Sequence, residues 1–172
     1  MPRRAALWLL AALLPTLALA GVRHHVKHDH WTDEYDPLFR KYTKHYFGAH
    51  FDWHWFKAQA IAESGLKADA VSPAGARGIM QILPSTYREI RERNPFMADI
   101  EEPRWNIAAG IFYDRQLYRK WKNKRDIRTA ERLSFAFGSY NAGYGNVRRD
   151  QKRLFSGRSI ATSLTTLTSW TW

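Results

Sequence analysis

The chain has 172 residues, a formal net charge of +11, eight Trp, eight Tyr and nine Phe, and no Cys. The absence of Cys excludes disulfide bonds and a lipid-modified cysteine, so the stability of the fold must come from a packed core. A basic balance of this size favours anionic partners, such as nucleic acid, phospholipid headgroups or acidic wall polymers.

Residues 1–20 have the pattern of an export signal. Arg3 and Arg4 precede an almost unbroken apolar run from Ala5 to Ala20, which ends in small residues suited to cleavage. The run is shorter than the roughly 20 residues of a spanning helix, although an uncleaved membrane anchor is the alternative. Export argues against nucleic acid as the partner. We therefore expect a protein of the periplasm or cell envelope, with a net charge of +9 on residues 21–172.

Residues 21–35 are polar and rich in His, and we interpret them as a linker. Their low apolar content offers no core that would fix side chains in space. A metal site is the alternative, and its ligands would be His24, His25, Asp29 and neighbouring His residues. We expect neither a metal nor a cofactor.

The helical pattern begins at Asp36, with Pro37 in the first turn, and continues to Gly48. A second helix is predicted from Asp52, as its N-cap, to Ser64, with Gly65 as the C-terminal cap. The residues that follow are rich in Pro and Gly and predict an ordered loop. The remaining predicted helices cover Pro84 to Arg93, Pro103 to Trp121, Arg128 to Phe137, and a shorter segment after Gly145.

No strand-like alternation of useful length and no internal repeat is present in the sequence. The pattern therefore predicts a mainly α fold with one domain over residues 36–155. Residues 156–172 are rich in Ser and Thr, have little helical period, and are predicted to be an atypical tail.

Glu63 lies in the apolar stripe of the second predicted helix, three residues after Ala60 and seven after Phe56. Seven residues return a helix to within about 20° of the same face. Burial there, and the negative end of the helix dipole, would both raise the pKa of the carboxyl group, as a general acid requires. A structural ion pair with Arg77 or Arg88 is the alternative role.

Two further clusters of polar residues follow Glu63. The glycine-rich loop from Ser72 leads to Gln81, whose amide can donate to and accept from a sugar. Tyr140 and Asn141 follow an apolar stretch and require hydrogen-bond partners if they are buried. Taken alone, these clusters also fit an ordinary connecting loop and a structural hydrogen-bond network.

The segments ESGLKADAVSPAGARGIMQILPST, PRWNIAAGIFYDRQL and SYNAGYGNVRR occur in one order and resemble the SLT domain of glycoside hydrolase family 23. The resemblance covers about Asp36 to Arg149 and implies a lysozyme-like helical fold related to goose-type lysozyme. It implies that Glu63 is the catalytic glutamate. The substrate-binding residues that it implies are Ser72, Gln81, Leu83, Tyr140 and Asn141, with Asn106 and Asn141 also acting as supports of the site.

The resemblance also implies a reaction. The family breaks the β-1,4 bond between N-acetylmuramic acid and N-acetylglucosamine without water and leaves a 1,6-anhydromuramic acid end. One residue would act first as acid and then as base, whereas most glycosidases need two carboxylates. The next acid after Glu63, Asp69, has no feature that singles it out. A hydrolase of the same fold and a non-catalytic wall-binding domain are the alternatives.

The partners that follow are peptidoglycan glycan strands and an anionic surface of the cell envelope, and we expect a monomer. Binding to sacculi or anionic vesicles should weaken as salt rises, because surface attraction is screened over about 8 Å at physiological ionic strength. A salt titration of sedimented sacculi measures this. Binding that is independent of salt would show that the net charge has no role in it.

Overall fold

The computed structural model describes residues 31–122, 127–128 and 131–155. The predicted export signal, the His-rich residues 24–30 and the tail 156–172 lie outside these ranges. The helices are α1 (Asp36–Phe47), α2 (His54–Ser64), α3 (Pro84–Arg93), α4 (Pro103–Lys120), α5 (Arg132–Ala142) and α6 (Tyr144–Phe155). The prediction of a mainly α fold is confirmed. None of these described helices is long and apolar enough to cross a membrane.

The first four helices confirm their predicted positions. Pro occupies the first turn of α1, α3 and α4, where its fixed φ suits a helix and its missing N–H needs no partner. Gly65 ends α2 in the left-handed conformation, with φ of 63°, and its N–H donates to Ile61. One detail of the prediction is wrong: α2 begins at His54, and the Asp52 carboxylate accepts the His54 N–H at 3.0 Å from outside the helix.

The last two helices differ from their predicted bounds. α5 begins at Arg132, not at the predicted Arg128. It does not end at Phe137 but continues to Ala142, because Ser139 and Tyr140 have partners on neighbouring elements when they are helical. Ser139 accepts the indole N–H of Trp121 at 2.9 Å, and Tyr140 donates to the Met80 carbonyl at 2.6 Å. α6 starts one residue before Gly145 and has 12 residues, so it is not the short segment that was expected.

α4 is the centre of the fold. Six consecutive residues from Asn106 to Ile111 are buried, which means that this helix is covered on all sides. α1 and α5 pack against it, and α3 contacts it as well. Burying a large side chain such as Ile107 or Ile111 contributes roughly 1.5–3 kcal/mol. The core around α4 therefore supplies the stability that disulfide bonds cannot.

The loop between α2 and α3 is held by backbone bridges rather than by a sheet. Arg77 pairs with Val71 and with Ile82 in two isolated antiparallel bridges. The loop passes so close to α4 that a Cβ atom on Gly78 would lie 2.4 Å from the Asn106 amide nitrogen. Likewise, a Cβ atom on Gly110 would lie 2.7 Å from Met80. These two contacts require glycine.

Asn106 fastens this loop to α4 with every polar atom of its side chain. Its Oδ1 accepts the Met80 N–H at 2.7 Å. Its Nδ2 donates to the carbonyl groups of Arg77 at 2.9 Å and Ile100 at 3.0 Å. Replacing this side chain would leave three backbone groups without their partner.

We expect Asn106→Ala to lower the free energy of unfolding by roughly 2–4 kcal/mol, because each unsatisfied buried polar group costs about 1–3 kcal/mol. Asn146→Ala is the matched control, since Asn146 is exposed and its amide bonds only to its own helical surroundings. The control should change stability by about 0.5 kcal/mol or less. Denaturant unfolding measures both, and equal losses would contradict the role assigned to Asn106.

Candidate active site

Glu63 lies in the last turn of α2 and is partly buried. Burial raises the pKa of its carboxyl group above the ordinary value, and a hydrogen bond from the Asn141 side chain opposes this rise by favouring the charged form. Neighbouring Ser64 donates its hydroxyl to the Ile79 carbonyl at 2.8 Å, so this turn of the helix is tied to the loop. The helical turn that carries the carboxyl group is therefore held in position, and the group is partly desolvated. Burial favours its protonated form, and Asn141 favours its charged form.

Tyr140 is close enough to Glu63 for the charge of Glu63 to act on its pKa. Burial raises the pKa of Tyr140 well above its usual range, and the carboxylates of Asp114 and Glu63 add to this effect. The hydroxyl group therefore stays protonated and donates a hydrogen bond to the Met80 carbonyl. The ring meets that of Tyr113 edge to face, with 5.3 Å between centroids. Tyr140 thus links α5 to the loop while it flanks Glu63.

The other predicted site residues lie in the loop, and the structure gives their side chains local partners. The Ser72 hydroxyl accepts the Ala76 N–H at 3.0 Å and thereby closes the loop on itself. Gln81 has a φ of 46°, and its amide nitrogen donates to the carbonyl groups of Ala70 and Gly78 at 3.1 and 2.9 Å. Its amide hydrogens are therefore committed to the backbone, and its carbonyl oxygen is the atom left to bind a ligand.

Leu83 occupies the N-cap position of α3, and its side chain is 41% exposed. The structure thus brings Asn141 and Tyr140 to Glu63. The structure places Ser72, Gln81 and Leu83 on the loop. None of the described hydrogen bonds joins them to Glu63.

The alternative role of Glu63 in an ion pair does not fit the geometry. Arg77 instead pairs with Glu101 on the surface, and Arg88 is exposed on α3. Within the described ranges, Glu63 takes part in no salt bridge. No structural ion pair therefore explains why an ionisable side chain occupies this partly apolar site. This favours a catalytic role for Glu63.

Sequence reasoning missed the carboxyl group of Asp114, which lies on α4 and is fully buried. Gln59, one turn before Glu63 on α2, donates to it across 3.4 Å. Burial raises the pKa of Asp114 well above its ordinary value, although the hydrogen bond from Gln59 opposes this rise; the charge of Glu63 adds to it. No three Asp, Glu or His side chains of the described residues are grouped as metal ligands would be.

Away from Glu63, a cleft of about 610 Å³ lies between α1, the start of α4 and the segment before it. Arg104 stacks on Trp105 at 4.0 Å, and Phe96 contacts the same indole ring. The cleft is lined by Lys41, Tyr42, Lys44, His45, Tyr46, Phe96, Arg104 and Trp105. It is aromatic, carries basic residues at its rim, and has no acidic residue in its lining.

We expect Glu63→Gln to unfold at a higher temperature than the wild type near neutral pH. The raised pKa means that the folded state binds this proton more tightly than the unfolded chain, so wild-type stability falls as pH rises through the folded pKa. A Gln side chain lacks this loss. Thermal unfolding against pH tests the expectation: the difference should vanish below about pH 4, where the carboxyl is protonated in both states. A difference that grows toward acid pH would contradict it.

Comparison with known proteins places the chain. The sequence profile of the transglycosylase SLT domain matches residues 39–160. The membrane-bound lytic murein transglycosylase F of Vibrio campbellii is 32% identical over 126 residues, which is 73% of this chain and 21% of that protein. The protein of the same name from Desulfosudis oleivorans is 37% identical over 117 residues, 67% of this chain and 24% of that one. The chain thus spans about a fifth to a quarter of these relatives.

Solved structures share the fold. The 70 kDa soluble lytic transglycosylase of Escherichia coli superposes with a TM-score of 0.54 at 30% identity, over 67% of this chain and 18% of that one. An inactive Glu-to-Gln variant of the lytic transglycosylase Slt from Pseudomonas aeruginosa gives a TM-score of 0.59 at 22% identity, over 81% and 22% of the two chains. The helical architecture is that of this family. The chain belongs to the transglycosylase SLT domain family.

Proposed function

We propose that this chain is a peptidoglycan lytic transglycosylase with Glu63 as its acid and base. The observation that carries the proposal is the environment of Glu63: partial burial favours the protonated acid, and Asn141 supports the anion that remains after proton transfer. The relatives named above are lytic murein transglycosylases, which agrees with a murein substrate. The bond that we propose for cleavage is the β-1,4 linkage between N-acetylmuramic acid and N-acetylglucosamine.

In the first step, protonated Glu63 gives its proton to the glycosidic oxygen, and the bond from that oxygen to muramoyl C1 breaks. In the second, the Glu63 carboxylate takes the proton of the C6 hydroxyl while that oxygen bonds to C1. The products are a free N-acetylglucosamine hydroxyl and a 1,6-anhydromuramic acid end. Glu63 ends the cycle protonated, so the reaction consumes no water and needs no second catalytic carboxyl group.

The positions of the other carboxyl groups favour this scheme over hydrolysis. A two-carboxylate hydrolase needs its second acid open to the sugar or to a water molecule beside it. Asp114 is completely buried and can reach neither. Asp69 is exposed, and its charge acts on Tyr35. Neither Asp114 nor Asp69 therefore supports the hydrolytic reaction of a goose-type lysozyme.

The loop supplies the proposed contacts to the sugar. The free carbonyl oxygen of Gln81 can accept a hydrogen bond from an acetamido N–H or a hydroxyl, and Leu83 presents an exposed apolar side chain nearby in sequence. We propose that Ser72 and Tyr140 act mainly by holding this loop, since their hydroxyl groups already bond to the loop backbone.

We further propose that the protein works in the cell envelope as a domain over residues 36–155. The basic, aromatic cleft gives the positive charge of the chain a place to meet an anionic envelope surface, because Lys41, Lys44 and Arg104 line it and no acidic residue does. The export signal, its cleavage and the monomeric state remain predictions from the sequence.

The test uses Glu63→Gln on purified sacculi, with the released fragments identified by mass spectrometry. We expect a loss of at least about 10²–10⁴-fold in product release, the contribution of a general acid or base. The matched control is Glu92→Gln, the same change at an exposed position of α3, which should retain full activity.

Binding of bulgecin A, which forms a complex with the 70 kDa soluble relative, checks that the variant keeps its folded binding site. It should raise the unfolding temperature of both the wild type and Glu63→Gln, because a ligand of the folded state stabilises it. Undiminished product release by Glu63→Gln would overturn the role of Glu63. Wild-type fragments that end in reducing muramic acid would identify a hydrolase, and wild-type binding without any product would identify a wall-binding domain.

A further inference from the structure

The carboxyl group of Asp114 is a buried acid for which the proposed reaction has no direct use. None of its surface is exposed. Its Oδ1 lies 3.4 Å from the Gln59 amide nitrogen, while its Oδ2 is buried without a hydrogen-bond partner. In the described part of the chain, no Lys, Arg or His side chain forms a salt bridge with it. An ionised carboxylate in this position would be both desolvated and uncompensated.

Gln59 also has a buried acceptor without a partner. Its side chain is buried, and its Oε1 also lacks a hydrogen-bond partner. The two side chains therefore face each other with one donor and two unsatisfied acceptors. A proton on Asp114 Oδ2 supplies the missing donor, since it can bond to Gln59 Oε1 while Gln59 Nε2 donates to Oδ1. The result is a cyclic acid–amide pair with both of these acceptors satisfied.

We propose that Gln59 and Asp114 form a neutral acid–amide pair, and that Asp114, held protonated, is a positioning residue for Glu63. Gln59 and Glu63 are four residues apart on α2 and share one face of the helix. The pair fixes the side chain one turn behind the catalytic carboxyl group and keeps that part of the core uncharged. This role for Glu63 rests on the proposed function, whereas the protonation of Asp114 does not.

The titratable groups around Asp114 agree with a neutral acid. Glu63 on α2 is the acid that acts on it, and its charge raises the pKa of Asp114. Tyr140 on α5, Tyr113 on α4 and Tyr46 on α1 are partly buried phenols, and Tyr42 on α1, which packs against α4, is buried.

From α3, Glu89 acts on Tyr113, and on α4 itself the Arg115 guanidinium lies over the rings of Phe47 and Tyr118. Burial is the largest cause of the raised pKa of Asp114 and exceeds the opposing effect of the hydrogen bond from Gln59.

The neutrality of Asp114 matters for the acid. A negative charge at Asp114 would raise the pKa of Glu63 further and weaken it as a proton donor. Burial raises the affinity of Glu63 for its proton, and the hydrogen bond from Asn141 lowers it. Asp114 also cannot pass a charge to the sugar, because it is sealed from the surface.

The test compares Asp114→Asn and Asp114→Leu with the wild type. Asn reproduces both hydrogen bonds of the neutral pair, whereas Leu leaves the Gln59 amide without a partner. We expect Asp114→Asn to keep wild-type turnover and the same alkaline limb in its pH profile, because it changes no charge near Glu63. Asp114→Leu should lose turnover and stability. If Asp114 is ionised in the wild type, Asp114→Asn would move the alkaline limb to lower pH, and this overturns the proposal.

Stability against pH gives a second measure. A raised folded pKa means that wild-type stability falls as pH rises above the unfolded value of about 3.9, and Asp114→Asn lacks this loss. The variant should therefore gain in unfolding temperature relative to the wild type as pH rises. A constant difference would contradict the proposal, as would a Leu variant with wild-type turnover.

Carbon-13 nuclear magnetic resonance of the Asp carboxyl groups in the wild type decides the protonation state without any variant. We expect the Asp114 signal to be that of a protonated acid near neutral pH, and an ionised signal would overturn the proposal. The same spectrum of Glu63→Gln should also show a protonated Asp114. This result is independent of turnover, so failure of the transglycosylase assignment and failure of the acid–amide pair are distinguishable.

Discussion

The backbone of Ile79 and Met80 is the point on which the candidate site depends, because three helices hydrogen-bond to it. Ser64 at the end of α2 donates to the Ile79 carbonyl. Asn106 on α4 accepts the Met80 N–H, and Tyr140 on α5 donates to the Met80 carbonyl. These bonds come from elements distant in sequence, so together they fix the glycine-rich loop against the end of the helix that carries the catalytic candidate.

The properties of Glu63 follow from this arrangement. Its helical turn is held against the loop and cannot move outward to recover water, which keeps the carboxyl group partly desolvated and its pKa raised. Asn141, at the end of α5, supplies the opposing hydrogen bond because Tyr140, its neighbour, is anchored to Met80. A residue that serves first as an acid and then as a base needs a pKa near the working pH, and opposing influences of this kind can bring it there.

Much of this could be predicted from the sequence, and the rest depended on contacts between helices. Helical periodicity placed Glu63 on a buried face, and the same spacing from Ile107 and Ile111 could have found Asp114. Its pairing with Gln59 could not be predicted, since it requires the packing of α2 near α4. The hydrogen bonds from the Gln81 amide to the loop backbone could not be predicted either, because the positive φ of Gln81 results from the fold of the loop.

In the proposed reaction, Glu63 transfers both protons and water takes no part. Digestion of sacculi by the wild-type protein in ¹⁸O-labelled water, followed by mass spectrometry of the new chain ends, tests it most directly. We expect 1,6-anhydromuramic acid ends without the heavy isotope. Muramic acid ends that carry one ¹⁸O atom each would contradict it.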